Sequence, residues 1–280
     1  MSAHSIQIGI DLGTTNSEIA INRDGTPEVI KNIFQDEYTP SVFGVNKARN
    51  IEVGRRAYAK LFKDASIDSI KNYKAEVKRL MGTPETVHFE RLNKDMTAEE
   101  ISAEILTNLK SDVLRKYPEF DTTAAVVTIP AYFSTLQAEA TKRAGNLAGF
   151  KHIVLLQEPI AAAVAYGFSN TKEETWLVYD LGGGTFDVAL ISSKGGVLSV
   201  LGHNGDNFLG GKNFDWLIVE KIIIPKLKKE YDLADLDRSN KDEEVQSILS
   251  YLKYEAETAK INLSQEEETS MLIEIPARDI

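Results

Sequence analysis

Apolar and polar positions alternate over residues 6 to 12 and again over 17 to 23. Asp24-Gly25-Thr26 reads as a turn, and a further strand follows through Val29 and Ile30. Val42, Phe43 and Val45, after Pro40, predict another strand. The period then changes: Ile70, Tyr73, Val77 and Leu80 fall at three- and four-residue spacing, which predicts one helix from Asp68 to Leu80, ended by Gly82, with Lys74, Lys78 and Arg79 off its buried stripe. Thr97-Ala-Glu-Glu is a capping box for a long helix through Ile101, Ile105, Leu109 and Val113 that closes before Pro118. A buried strand is expected at Ala124 to Ile129. Ser134 and Gln137 cap a helix ending near Gly149; a strand follows at Ile153 to Leu156, then a helix with Pro159 just inside it that stops at Gly167.

The polar run Ser169 to Thr175 is the expected boundary between two lobes, because strands begin again at Trp176. After Gly205 and Leu209-Gly210-Gly211, a helix from Asn213 is expected to turn Phe214, Leu217, Ile218, Ile222 and Leu227 toward a core, and Pro225 to kink or end it. A helix from about Glu243 to Asn262 carries Val245, Ile248, Leu252, Ala256 and Ala259 on one face, and Met271 to Ile275 alternates like a strand. Strands alternating with helices give an α/β class.

Two stretches share one frame. Ile8 to Ile21 reads IGIDLGTTNSEIAI and Tyr179 to Leu190 reads YDLGGGTFDVAL: in each, a strand ends in Asp-Leu-Gly, five residues follow, and a second strand begins. Each reads as a hairpin. Glycines let a backbone approach a ligand closely, and successive N–H groups in such a turn make a concavity that suits an anion. Thr14, Thr15 and Thr185 add hydroxyls. Asp11 and Asp180, at the strand ends, offer the hard oxygen ligands that Mg²⁺ prefers. One copy alone reads as an ordinary Gly-rich hairpin; the matched pair points to two turns closing on one magnesium-polyphosphate.

Composition narrows the classes. Hydrophobic residues make up 42% of the 280 and suit a folded core, while a net charge of −10 argues against nucleic acid or an anionic membrane as partner. With no cysteine there are no disulfides or thiolate metal sites. No apolar run approaches membrane-spanning length, and the strand pattern starting by Ile6 leaves no room for a signal peptide, so a cytoplasmic location is expected.

DLGTTNS, VVTIPAYF at 126 to 133, QEPIAAAVAYG at 157 to 167, DLGGGTFDVAL and LGGKNFD at 209 to 215 occur in the order found in DnaK-type heat-shock chaperones. The chain resembles the ATPase domain of that family, a member of the actin and sugar-kinase superfold. The resemblance implies two lobes around a nucleotide cleft: lobe I at 1–168, with a core subdomain at 1–37 and 97–168 and an inserted one at 38–96, and a partial lobe II at 176–280, with a core subdomain at 176–211 and an outer one at 212–280. It implies ATP or ADP and Mg²⁺, with K⁺ as a further ion. Asp11 and Asp180 match the metal-side aspartates acting through water, and Asp187 a third acid. Lys78 matches the lysine at the transferred phosphate, Glu158 the carboxylate near the attacking water, and Thr185 the threonine at the γ-phosphate. Gly13, Thr14, Thr15, Asn16, Gly182, Gly183 and Gly184 match the phosphate turns; Gly211, Glu257, Lys260 and Ser264 match nucleotide contacts. Without the family, Lys78 reads equally as a solvated helix lysine, Glu158 as a helix N-terminal acid, Asp187 as a strand-face acid, and EAETAK as a charged helix face.

The departures are informative. Asn16 and Ile261 give the nucleotide site a bacterial character, and Ala138 stands where the family has an arginine held, with Pro130, to relay the nucleotide state to a peptide-binding domain. Leu136 and Ala138 read alternatively as helix packing. Three functions follow: the ATPase module of a chaperone with peptide, J-domain and exchange-factor partners; a nucleotide-sensing module with weak peptide coupling; or a sugar kinase of the same superfold. The family's further strands and second Gly-rich turn do not appear before Ile280, so the chain reads as a piece of a longer protein, expected to bind MgATP poorly by itself.

Overall fold

The computed structural model describes residues 6–167, 173–275, 278 and 280. It is mixed α/β and divides into two compact units, one of Met1–Ser41, Ala75–Val87 and Asp95–Leu209, the other of Val42–Lys74, His88–Lys94 and Gly210–Ile280. Both hairpins thus belong to the first unit. Part of the expected lobe boundary, residues 169–172, lies outside the described residues.

In the first unit a sheet runs in the order His152–Gln157, Ala124–Ile129, Ile8–Leu12, Asn16–Arg23 and Thr26–Val29, with Thr39–Pro40 pairing on the end of Asn16–Arg23. The first three strands are parallel, which requires crossovers; the helices Ala98–Lys116 and Thr135–Leu147 supply them. Alternation sets the faces. Ile8, Ile10 and Leu12 are almost fully buried, and Asp11 points the other way. Both capping boxes form: Thr97 N donates to Glu100 Oε2 at 2.9 Å, and Ser134 N to Gln137 Oε1 at 3.0 Å. Ile101, Ile105, Leu109 and Val113 are buried as the stripe requires.

A second sheet of the same unit pairs Glu174–Leu181, Phe186–Lys194 and Val197–Asp206 in antiparallel order. Helix Glu158–Ala165 covers one face, where Ala163 packs with Ala189 and Ile191. Leu177, Tyr179 and Leu201 on the sheet are exposed.

In the second unit, strands Ile51–Val53, Val42–Val45 and Tyr73–Ala75 form a small sheet, with Phe43 edge-on to Phe89 at 5.0 Å between ring centroids. Helix Glu243–Asn262 buries Val245, Ile248, Leu252, Ala256 and Ala259, the face its periodicity gave.

Three expected elements differ. The helix expected from Asp68 to Leu80 is a single turn at Ile67–Ile70, then strand Tyr73–Ala75 and a 3₁₀ turn at Val77–Leu80. Fully buried Asn72 breaks it: its side chain donates to Asp68 O and accepts from Arg91 N, while its carbonyl accepts from Val45 N. The Tyr73 ring occupies the space a side chain at Gly44 would fill, and Glu76 sits at φ 63°. The helix after Gly210 does not end at Pro225. A π-turn at Val219–Ile223 joins Gly211–Ile218 to Ile224–Glu230, accommodating the proline ring that an α-turn would crowd. That insertion shifts the phase of the buried face. Phe214, Leu217 and Ile222 are exposed, Asp215, Val219 and Ile223 are buried instead, and Leu227 is buried as expected. Met271 to Ile275 is not a strand, although Met271, Ile273 and Ile275 still pack on the core of this unit as their alternation required.

Candidate functional site

The two hairpins are built to one plan. Leu12 pairs with Ser17 and Leu181 with Phe186, so four residues cross each turn. None of Gly13, Gly182, Gly183 or Gly184 has a positive φ; space is what selects glycine here. A Cβ on Gly183 would lie 2.0 Å from Thr15 Oγ1, and one on Gly184 would lie 2.6 Å from Thr14 Cγ2. The glycines therefore let the second turn pack against the first.

Between the turns is a cleft of about 190 Å³, lined by residues 13–16 and 182–185, the acids Asp11, Glu18, Glu158 and Asp180, and Lys78. Asp11 reaches it from the solvent-facing side of its strand and accepts from Thr128 Oγ1 at 3.0 Å. Glu158 opens the helix that Pro159 pre-sets. Lys78, on its 3₁₀ turn, is not a solvated lysine: it is 7% exposed, donates to Glu158 Oε1 at 2.9 Å, and lies 5.4 Å from the centre of the Phe133 ring.

Negative charge is crowded here. Burial pushes the Glu158 carboxyl up from the usual range, with Asp11 and Asp180 adding to the rise against the pull of Lys78. Burial, then Asp11, raises Asp180; burial, then Asp11, raises Glu18. Four carboxylates against one ammonium make a wall that favours a cation. Among the described residues no group of three or more His, Cys, Asp or Glu could hold a metal ion. A cation here fits only with water or phosphate oxygens completing its shell.

The sequence-derived residues of the first unit all line this cleft except Asp187. Asp187 pairs with Asp180 in the hairpin register, is 4% exposed, and is raised by burial and by Asp180. Two residues were missed. Glu18 lies directly across from Asp11 in the first hairpin, a position that the hairpin register specifies. Arg79 donates to Gly184 O at 2.5 Å and so braces the second turn, a contact without sequence signal because it spans 105 positions.

The remaining candidates belong to the second unit. Lys260 bonds Asp215 Oδ1 at 2.6 Å and donates to Gly211 O at 3.2 Å; Glu257 accepts from Tyr58 OH at 2.8 Å; Ser264 Oγ donates to Ile261 O. EAETAK is thus more than a solvated charge face, since the Glu257 side chain is only 17% exposed and its helix neighbour Lys253 8%.

The model of the Hsp70 protein family matches residues 7–88 and 69–279. The chain belongs to the Hsp70 family. Among curated relatives it is similar to the chaperone protein DnaK of Mycoplasma mobile, 46% identical over 266 residues, or 94% of this chain and 41% of the relative. It is 42% identical to that of Metamycoplasma hominis over 92% of this chain and 41% of the relative, and 42% identical to that of Thermosipho africanus over 94% and 42%. The chain thus spans about two-fifths of the length of these relatives. An α/β structure with several sheets agrees with the actin-like fold of Hsp70 ATPases, and the sugar-kinase reading gains nothing from the matches. Among the described residues no helix is long and apolar enough to cross a membrane.

Proposed function

We propose that this chain is the nucleotide-handling part of a DnaK-type chaperone, binding a magnesium-bound nucleoside triphosphate and directing water onto its terminal phosphorus. The observation that carries this reading is the buried Lys78–Glu158 pair at 2.9 Å, set against two glycine turns in one cleft. Phosphoryl transfer to water is mostly positioning and charge neutralisation. Lys78 faces the transferred phosphoryl oxygens, Glu158 orients the water and accepts its proton, and the hydroxyls of Thr14, Thr15 and Thr185 with the turn amides hold the phosphate chain. Asp11 and Asp180 would hold Mg²⁺ through water, and the ion when bound would neutralise phosphate charge; Asp187, opposite Asp180 in the hairpin register, is the third acid of the set. K⁺ is a further candidate ion. By their match to the family's motifs, Gly211, Glu257, Lys260 and Ser264 are the proposed nucleoside contacts.

Coupling to bound peptide, and service by J-domain and exchange-factor partners in the cytoplasm, extend the proposal to the longer protein. A second reading, nucleotide sensing with weak peptide coupling, is favoured by Ala138 and by Leu136, which is 68% exposed and so does not serve packing. The test of the main reading is MgATP titration of the full-length protein followed by single-turnover hydrolysis. Mg²⁺-dependent binding that Lys78→Ala retains while hydrolysis collapses supports it; absence of Mg²⁺-dependent binding overturns it.

A further inference from the structure

Behind the wall formed by Lys78 lies a second cavity of about 210 Å³ in the same unit. Thr14, Lys78 and Thr185 line both spaces, so they meet where the terminal phosphate is placed by the phosphoryl-transfer reading. Their charges are opposite. The cleft has four carboxylates and one ammonium, whereas the second cavity is lined by Lys78 and Arg79 and by no carboxylate. Its sides are Phe133, 5.4 Å from Lys78 Nζ, and Phe208, 5.3 Å from the Arg79 guanidinium carbon. Two buried polar atoms at this cavity, Thr14 Oγ1 and Asn207 Oδ1, have no hydrogen-bond partner in the protein, and Thr14 is only 7% exposed. Buried polar atoms are ordinarily satisfied, and an orphaned pair beside two cations marks a space shaped for a polar anion.

We infer that this cavity is a binding site for free inorganic phosphate, separate from the cleft that holds the magnesium-bound chain. The inference rests on the phosphoryl-transfer reading for its biological sense, and on the lining for its chemistry. A phosphate chain arrives with a metal ion and suits a carboxylate wall. Inorganic phosphate, once released, can leave the metal and carries a P–OH group. That hydroxyl donates to Asn207 Oδ1, while the anionic oxygens accept from the Thr14 hydroxyl and the two cationic side chains. The cavity then draws the product away from the reacting position, past Lys78, without requiring the nucleotide to leave first.

The test is calorimetric titration of inorganic phosphate into the 280-residue chain with a chelator and no nucleotide, conditions under which the carboxylate-walled cleft repels an anion. Saturable binding is expected, weakened about 10-fold or more by Asn207→Asp and by Arg79→Met, since one adds a negative charge and the other removes a positive one. Asn207→Asp makes no contact with the cleft and decides the matter if Arg79→Met does not fold. No saturable binding in the unmodified chain, or binding that Asn207→Asp leaves unchanged, overturns the inference. MgATP titration of the full-length protein separates the two readings: absence of nucleotide binding there, with phosphate binding retained, overturns the phosphoryl-transfer reading and leaves the anion site standing.

Discussion

Lys78 and Glu158 stand 80 positions apart and meet at 2.9 Å, with side chains only 8% and 15% exposed. Removing one member of such a pair strands the other as a buried charge, a loss of about 3–5 kcal/mol in well-buried cases, whereas replacing both by neutral groups costs far less. Lys78→Met should therefore destabilise the chain more than the double variant Lys78→Met/Glu158→Gln does. Denaturant unfolding of the four proteins in the cycle checks this, and equal midpoints for the single and double variants would falsify the coupling.

The same lysine is expected to carry rate rather than affinity. Removing a preorganised charge at a transferring phosphoryl group costs about 10²-fold or more in turnover. In the full-length protein, Lys78→Ala should keep MgATP binding and lose hydrolysis by about that factor in single-turnover assays, and Asp180→Asn should behave alike. A near-normal rate in Lys78→Ala would remove it from the reaction.

Glycines of the first unit differ sharply in what they tolerate. Gly183→Ala places a Cβ 2.0 Å from Thr15 Oγ1, so the two turns must separate and nucleotide binding should be lost. Gly9→Ala, with nothing within 4 Å of the new atom and no positive φ, should be neutral or stabilising by a few tenths of a kcal/mol, roughly the entropic advantage of alanine over glycine. Thermal unfolding and MgATP titration of both variants check the contrast.

Acidity should stabilise the nucleotide-free cleft. Glu18, Glu158, Asp180 and Asp187 are all raised when folded, burial being the first cause for each, so the native state binds more protons than the unfolded chain across the interval between ordinary and raised values. Their contribution is therefore favourable below that interval and lost as pH rises through it. Asp180→Asn removes one of the mutually repelling groups, and should raise the melting midpoint at pH 8 more than at pH 5 in Mg²⁺-free buffer. A variant whose advantage is the same at both pH values would show that the crowding has no energetic weight.

Ala138 bears on the longer protein. If its arginine counterpart carries the signal to a peptide-binding region, peptide should stimulate ATP turnover weakly, and Ala138→Arg should enlarge the response; binding linkage requires a matching change in how far ATP weakens peptide affinity. Strong stimulation of the unmodified protein would place the relay elsewhere.

The sequence by itself determined the elements whose cause is local. Alternation in Ile8–Leu12 put Asp11 on the face opposite Ile8 and Ile10, because strand side chains must point to alternate sides, and the Thr97 and Ser134 caps formed because their bonding partners lie three residues away. The two Asp-Leu-Gly frames likewise announced matched turns, and the order of five motifs announced the family. Tertiary structure decided whatever depends on distant partners. Asn72, satisfied by Asp68, Arg91 and Val45, broke a helix that period alone supported, and Phe214, Leu217 and Ile222 face outward on the helical stretch that the π-turn before Pro225 interrupts. It also decided that Gly183 and Gly184 are there to let one turn press on the other, and that Lys78 is buried: both are facts of packing across more than 70 residues, where no local spacing constrains which side chains meet.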